Sequence, residues 1–209
     1  MLQQNAVATH TLDLIRQLHK DPVLSDFSLA GGTALALWLG HRRSVDIDLF
    51  STTNFAISPL LQHLEKIYGF EMHYSDKNTL KGVISGIFVD LLTHDYPMVK
   101  DTVTEEEIRL YAPEDLAAMK VNAISGDGSR IKDFIDIYFL LDIFSLQEIL
   151  SFYTKKYGLR SELHAVKSLG YFDDLPRHPA WPVMLKEQDL TLDRIQKKIT
   201  HAIRNYLAL

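Results

Sequence analysis

Two aspartates separated by one residue are the feature of this chain best suited to chemistry. Asp46 and Asp48 lie in residues 44–49, Ser-Val-Asp-Ile-Asp-Leu, and on a strand this spacing points both carboxylates to one face. At a separation of about 4 Å, two such charges repel each other by roughly 4 kcal/mol near a protein surface. A divalent cation relieves that repulsion, and Mg²⁺ prefers carboxylate oxygens together with substrate phosphates. The pair therefore predicts a metal site that also accepts a phosphate compound.

A glycine turn precedes these aspartates. Gly31, Gly32 and Thr33 follow an apolar stretch and open a short predicted helix. Glycine permits positive φ and lets the backbone approach a ligand closely, and the unpaired N–H groups at a helix N-terminus attract phosphate. These three residues are candidates for a phosphate-binding turn. The turn alone would favour an ordinary strand-to-helix connection, and the aspartates that follow it favour binding.

Basic residues between the predicted helix and the aspartates are further candidates. Residues 41–43 read His-Arg-Arg, and arginine forms paired hydrogen bonds with phosphate oxygens. The segment is expected either to contact a triphosphate and its leaving pyrophosphate or to be a solvent-exposed basic loop. Arg43 is the preferred contact because it lies nearest to the acids, and the adjacent Ser44 is also assigned to nucleotide binding.

A lone carboxylate ends an apolar run further along the chain. Asp90 stands in residues 86–92, Gly-Ile-Phe-Val-Asp-Leu-Leu, where a charge is costly unless it is paired or bound to a metal. Asp90 is a candidate third metal ligand, because two-metal phosphoryl transfer uses such an acid, which also accepts a proton from the attacking hydroxyl. The alternative is a turn aspartate at the end of a strand.

Charged residues also interrupt two apolar helical stretches near residue 130. Lys120 is the one charge in residues 116–121, and it is expected either to extend to water or to reach a triphosphate. Asp133 and Asp136 share a helix with Lys132, and an ordinary surface ion pair is one explanation. The apolar neighbours of Asp136 indicate burial, which requires a partner such as Lys120 or a substrate group. Asp136 is the preferred functional aspartate, and Asp133 remains the alternative.

Hydrophobic periodicity predicts an α+β chain, in which a small mixed sheet with flanking helices precedes a helical C-terminal region. Residues 1–112 form the predicted core, and residues 113–209 form a helical region expected to complete the active site. Predicted strands cover residues 27–30, 45–50, 70–74, 79–84, 87–92 and 108–111. Predicted helices cover residues 9–19, 33–39, 58–68 and 129–144, with a further helix from Pro113 to the break at 126–128.

Composition limits the class of protein. The chain contains no cysteine, its nine histidines show no ligand spacing typical of zinc sites, and its net charge is −5. It lacks an apolar run of about 20 residues and a signal peptide, so we expect a cytoplasmic protein without a membrane partner. The excess of acids falls in residues 1–150, whereas residues 151–209 are net basic. That basic region is expected to contact a polyanion such as RNA or, as composition alone favours, to carry ordinary solvated helix faces.

Together these motifs resemble the signature of the nucleotidyltransferase superfamily, and the whole chain is similar to its AbiEii/AbiGii toxin branch. The resemblance implies metal and triphosphate binding by the first motif, with Asp46 and Asp48, and a functional lysine and aspartate at Lys120 and Asp136. Many superfamily members have Gly-Ser where this chain has Gly-Gly, so Thr33 or the backbone would replace the serine hydroxyl. The matching segments are residues 31–33, 46–50, 89–92, 115–120 and 130–138.

The resemblance implies a metal-dependent nucleotidyltransferase in which Mg²⁺ or Mn²⁺ is held by Asp46, Asp48 and Asp90. An acceptor hydroxyl attacks the α-phosphate of a nucleoside triphosphate and pyrophosphate leaves. The partners implied are the triphosphate, a tRNA 3′ end as acceptor and a cognate antitoxin, for a toxin of a toxin–antitoxin or phage-defence system. Two alternatives stay open, namely AMP transfer to a protein hydroxyl and nucleotide sensing without catalysis.

Overall fold

A seven-stranded mixed sheet with the strand order β3-β4-β5-β2-β1-β7-β6 is the centre of the first of two compact units. The computed structural model describes residues 1–158 and 162–208. We call Met1–Tyr96 with Thr102–Tyr111 the sheet unit, and Pro97–Asp101 with Ala112–Leu209 the helical unit. The strands are β1 (Ser28–Leu29), β2 (Ile47–Ser51), β3 (Glu71–Asp76), β4 (Thr79–Ile84), β5 (Ile87–Thr93), β6 (Val103–Glu105) and β7 (Ile108–Leu110).

Helices surround the sheet in the first unit and make up most of the second. The helices of the sheet unit are α1 (Thr9–Lys20), α2 (Gly31–Leu39) and α3 (Ile57–Tyr68). Those of the helical unit are α4 (Pro113–Gly126), α5 (Ile131–Leu140), α6 (Leu146–Tyr157), α7 (Glu162–Leu169) and α8 (Leu192–Leu207). The predicted fold class, a mixed sheet with flanking helices followed by a helical region, is confirmed. Within the described residues, no helix is both long and apolar enough to cross a membrane.

The strand that carries the aspartates is shorter than predicted. It begins at Ile47 instead of residue 45, so Asp46 lies just before β2. At this point the Thr33 hydroxyl, which lies 13 positions earlier in the chain, donates to the carbonyl of Asp46. Thr33 is likewise inside α2 and does not cap it, because the helix already begins at Gly31.

One strand of the sheet was absent from the sequence prediction. The strand β6 pairs with β7 through a turn in which Glu106 and Glu107 have φ of 52° and 68°. Tight hairpin turns of this kind favour asparagine and glycine, so two glutamates gave no signal for a hairpin. The predicted short strand at residues 108–111 is observed as β7.

A buried ion pair fixes residues 97–101 to the helical unit. The Lys156 ammonium lies 2.7 Å from Asp115 Oδ1, and both side chains are fully buried. The backbone N–H groups of Val99 and Lys100 donate to the same carboxylate over 3.0 and 2.9 Å. Four groups therefore share one buried charge cluster, and loss of either charged partner leaves the other uncompensated.

We expect Lys156→Met to lower the free energy of unfolding by about 3–5 kcal/mol, because the Asp115 carboxylate stays buried without its cation. Lys197→Met is the matched control, since Lys197 pairs with Asp193 at 2.7 Å on an exposed face, where such a pair contributes less than about 1 kcal/mol. Urea denaturation measures both variants, and equal losses would contradict the assignment of the buried pair.

Candidate active site

The two strands that carry the predicted carboxylates are direct neighbours. In β2, Ile47, Leu49 and Ser51 are buried, while Asp48 and Phe50 are partly exposed. The parallel strand β5 places Asp90 opposite Asp48 in register, and it alternates in the same way. Because opposite residues of neighbouring strands share a face of the sheet, Asp48 and Asp90 lie side by side on its more exposed face.

The glycine turn lies directly against one of these carboxylates. Gly31 has φ of +64°, and a β-carbon built on it would lie 2.0 Å from Asp48 Oδ2. The N–H of Ala30 donates to the carbonyl of Asp48 over 2.8 Å and fixes the start of α2 beside β2. Both the positive φ and the close approach require glycine at this position. The glycine turn, a predicted phosphate-binding segment, therefore lies in contact with Asp48, a predicted metal ligand.

Thr33 connects the first turn of α2 to the segment before β2. Its side chain is buried, and its hydroxyl lies 2.9 Å from Ser44 Oγ and donates to the Asp46 carbonyl. These contacts fix the backbone that carries Asp46, whose own residue is exposed. The structure thus gives Thr33 and Ser44, both assigned to nucleotide binding from the sequence, protein contacts that position Asp46.

Lys81 is a charged neighbour of Asp90 that the sequence analysis missed. Its ammonium donates to Asp90 Oδ2 over 2.5 Å, and β4 pairs with β5 so that Lys81 stands opposite Asp90. The signal was present in the sequence, because the two residues Ser85 and Gly86 between the predicted strands set this register. Both have positive φ, 49° and 81°, as a two-residue hairpin turn requires.

The arginine that lies against the glycine turn is Arg42, whereas the sequence analysis preferred Arg43. Arg42 is 3% exposed, and a β-carbon on Gly32 would lie 2.6 Å from its Nη2 atom. Its Nη1 atom donates to the Arg43 carbonyl over 3.2 Å, and Arg43 itself is exposed. The sequence does not show which of two adjacent arginines contacts the glycine turn, because that depends on which side chain packs against α2.

The oxygen donors of this face suit a hard divalent cation. Among the described residues, no group of three or more His, Cys, Asp or Glu side chains is arranged to hold a metal ion, and Asp90 is paired with Lys81. Mg²⁺ is bound in many enzymes by one or two carboxylates plus waters and substrate phosphates. Asp46 and Asp48 supply carboxylates of this kind beside a turn that suits phosphate, so the residues fit such a cation.

A second charged cluster occupies the helical unit. The Lys120 ammonium, on α4, lies 2.6 Å from Asp133 Oδ1 and 2.7 Å from Asp136 Oδ2, both on α5. The two aspartates are buried, and the lysine side chain is 10% exposed. Arg130 Nε lies 3.6 Å from the other oxygen of Asp133. The expected partnership of Lys120 with Asp136 is observed, and Asp133 shares it equally, so contact distance does not favour either aspartate.

Two solved structures share this fold. MenT4, a nucleotidyltransferase toxin from Mycobacterium tuberculosis H37Rv, has a TM-score of 0.60 and 13% identity, with 97% of this chain and 86% of that chain covered. A protein from H. pylori described as a nucleotidyltransferase has a TM-score of 0.57 and 16% identity, with 95% of each chain covered. The fold is therefore that of the nucleotidyltransferases.

The family is established from sequence. The model of the nucleotidyl transferase AbiEii toxin family, of type IV toxin–antitoxin systems, matches residues 13–87 and 82–208. An uncharacterized protein from Aquifex aeolicus is 34% identical over 161 residues, which are 73% of this chain and 76% of that protein. The chain belongs to the AbiEii family and is a nucleotidyltransferase, which confirms the resemblance found in its motifs.

Gly31→Ala tests whether the close approach of Gly31 to Asp48 adds to the loss of stability that backbone strain alone would cause. Gly69→Ala is the matched control, because Gly69 has φ of +63° and open space around its β-carbon position, whereas at Gly31 the added atom meets Asp48. We expect the control to lose about 1–2 kcal/mol of unfolding free energy and Gly31→Ala to lose about 2–5 kcal/mol. Chemical denaturation measures both, and losses of the same size would show that the contact with Asp48 is unimportant.

Lys120→Met is expected to lower the free energy of unfolding by about 3–5 kcal/mol, because it removes the cation that two buried carboxylates share. Lys132→Met, on α5, removes an equal charge from a partly exposed position and is expected to change stability by less than about 1 kcal/mol. Adding Asp133→Asn to Lys120→Met removes one of the two charges and should restore part of the loss. Urea denaturation compares the wild type, Lys120→Met and the double variant. A double variant no more stable than Lys120→Met would contradict the ion-pair assignment.

Proposed function

We propose that the chain transfers a nucleoside monophosphate from a nucleoside triphosphate to an acceptor hydroxyl in a reaction that depends on a divalent cation. The observation that carries this proposal is the contact of Gly31 with Asp48, within a chain of the nucleotidyl transferase AbiEii family. The contact brings a helix N-terminus, which attracts phosphate, next to a carboxylate, which attracts a cation. A nucleotide–cation complex needs both attractions at one place.

The residues of the sheet unit divide into two roles. The backbone N–H groups of Gly31 and Gly32 bind the triphosphate, because the first N–H groups of a helix have no partner within the helix and the side chain of Ala30 cannot cap them. Asp46 and Asp48 would hold Mg²⁺ or Mn²⁺, with Asp90 as a third carboxylate if Lys81 releases it. When bound, the cation neutralises charge that develops on the phosphate oxygens.

The reaction exchanges one phosphorus–oxygen bond for another. The acceptor oxygen attacks the α-phosphorus in line, the bond from the α-phosphorus to the bridging oxygen breaks, and pyrophosphate leaves with that oxygen. Asp90, once Lys81 has released it, accepts the proton of the attacking hydroxyl. In the helical unit, we assign functional roles to Lys120 and Asp136 on the basis of the family resemblance.

The proposal also covers the acceptor and the biological role. We propose a toxin that acts on RNA, with the tRNA 3′ end as acceptor, and a cognate antitoxin as its protein partner. The support is the type IV toxin–antitoxin assignment of the family and the net basic charge of residues 151–209, which suits a polyanionic acceptor.

Incubation with labelled nucleoside triphosphates, total tRNA and Mg²⁺ tests this proposal. We expect label on RNA, its loss when EDTA removes the cation, and a decrease of at least about 100-fold for Asp46→Asn/Asp48→Asn. The control is Glu71→Gln/Asp76→Asn, which removes two acids from the exposed strand β3 and should leave transfer unchanged.

Three results would contradict parts of the proposal. Transfer that persists in Asp46→Asn/Asp48→Asn would exclude these residues as the cation site. Label on protein instead of RNA would replace the acceptor with a partner protein. Nucleotide binding without transfer to any acceptor would indicate a sensor instead of an enzyme.

A further inference from the structure

A row of side chains crosses four neighbouring strands on the more exposed face of the sheet. Tyr74 on β3 stands opposite Lys81 on β4, and Lys81 stands opposite Asp90 on β5. Asp90 in turn stands opposite Asp48 on β2. Because opposite residues of paired strands share a face, Lys81 is the cationic residue of this row and lies directly beside the two carboxylates.

The ion pair of Lys81 engages an atom that the proposed reaction needs. The Lys81 ammonium lies 2.5 Å from Asp90 Oδ2, so it occupies a carboxylate oxygen that would otherwise accept a hydroxyl proton or bind a cation. Its positive charge also repels any cation that approaches the same carboxylate. While this pair persists, Asp90 is withheld from the reaction.

The same pair is open enough to exchange its partners. The Lys81 side chain is 43% exposed and that of Asp90 is 26% exposed, and a pair of this kind shifts an equilibrium by at most about fivefold. Lysine carries a point charge on a flexible stem and is a common phosphate ligand. The Lys156–Asp115 pair, with both side chains fully buried, has no such freedom.

An RNA acceptor brings a phosphate to this part of the face. Its attacking hydroxyl must come within about 3 Å of Asp90 to transfer a proton, and the same nucleotide carries the phosphate that links it to the strand. Phe88 is 56% exposed and lies two residues before Asp90 on β5, on the same face. An exposed aromatic ring and a lysine suit the base and the phosphate of a single-stranded nucleotide.

We propose that Lys81 holds Asp90 until the acceptor RNA binds, and that it then exchanges the Asp90 carboxylate for a phosphate of that RNA. The exchange frees Asp90 when an acceptor hydroxyl, instead of water, lies beside it. This inference rests on the proposed function, since it takes Asp90 as the proton acceptor and RNA as the acceptor strand. It makes Lys81 a positioning residue that acts through Asp90.

Transfer to water in the absence of RNA is the reaction that this restraint suppresses. In that reaction a water oxygen attacks the α-phosphorus, the bond to the bridging oxygen breaks, pyrophosphate leaves, and Asp90 takes the proton of the water. Release of labelled monophosphate from labelled triphosphates with Mg²⁺ measures it. We expect Lys81→Met to raise this release about fivefold and Lys81→Met/Asp90→Asn to abolish the increase.

Lys77→Met is the matched control for these measurements. It removes the same charge from an exposed position in the turn between β3 and β4, four residues from Lys81, and it should leave the release of monophosphate unchanged. Lys81→Arg keeps a cation opposite Asp90 that also binds phosphate, so it should behave like the wild type.

Two further measurements separate the restraint from a merely structural role. Without RNA, electron paramagnetic resonance of Mn²⁺ with a triphosphate analogue should show about fivefold tighter Mn²⁺ binding by Lys81→Met protein. With RNA, the same variant should have a KM for RNA that is about fivefold higher, with little change in kcat, because it lacks the phosphate contact.

The outcomes distinguish this inference from the proposed function. Wild-type protein that transfers no label to RNA would contradict the proposed function itself. Wild-type protein that transfers label, together with Lys81→Met protein of unchanged monophosphate release and Mn²⁺ affinity, would overturn the restraint by Lys81. Raised monophosphate release with an unchanged KM for RNA would overturn the exchange with the acceptor phosphate.

Discussion

The absence of a β-carbon at Gly31 lets α2 begin directly against the carboxylate of Asp48. Gly31 also has a positive φ, and the N–H of the preceding Ala30 donates to the carbonyl of Asp48. A helix N-terminus carries partial positive charge, so the carboxylate is stabilised by the turn that it touches. The positions of Thr33, Arg42 and Asp46 all depend on where this first turn lies.

Charge is arranged differently in the two units. In the helical unit, Lys120 and Lys156 neutralise buried aspartates in closed clusters whose members are largely removed from water. In the sheet unit, Asp48 and Asp90 are only partly buried, and the pair of Asp90 with Lys81 is half-exposed. Breaking a half-exposed ion pair costs little, so a cation with a bound phosphate is able to compete with Lys81 for the Asp90 carboxylate. The buried clusters suit a fixed framework instead.

The sequence predicted the strands and the turn of the site, but it did not predict the side-chain contacts between neighbouring elements. The strands β4 and β5 and the glycine turn before Asp48 followed from short patterns of alternation and turn residues. Lys81 was missed because the predicted strands at residues 79–84 and 87–92 were not paired with each other, so their cross-strand neighbours were not worked out. Arg43 was preferred to Arg42 as the contact because it is nearer to the aspartates along the chain. Distance along the chain does not show which side chain packs against a helix.

The contact of the Thr33 hydroxyl could not be predicted from the sequence for the same reason. Its type suits a helix cap or a phosphate contact, and the sequence carries no sign that it instead binds the carbonyl of Asp46. That contact joins residues 13 positions apart, and β2 begins at the residue after Asp46. Contacts of this kind depend on tertiary packing, which overrides local preference.

The central claim is that the turn at Gly31 and the carboxylate of Asp48 together hold a nucleotide and its cation. A crystal structure with Mn²⁺ and a triphosphate analogue that has a methylene group between the α- and β-phosphates tests it most directly. We predict an anomalous manganese peak about 2.1 Å from an Asp48 carboxylate oxygen, with phosphate oxygens about 3 Å from the N–H groups of Gly31 and Gly32. Manganese and phosphates bound elsewhere, with the Asp48 carboxylate contacting neither, would contradict the account.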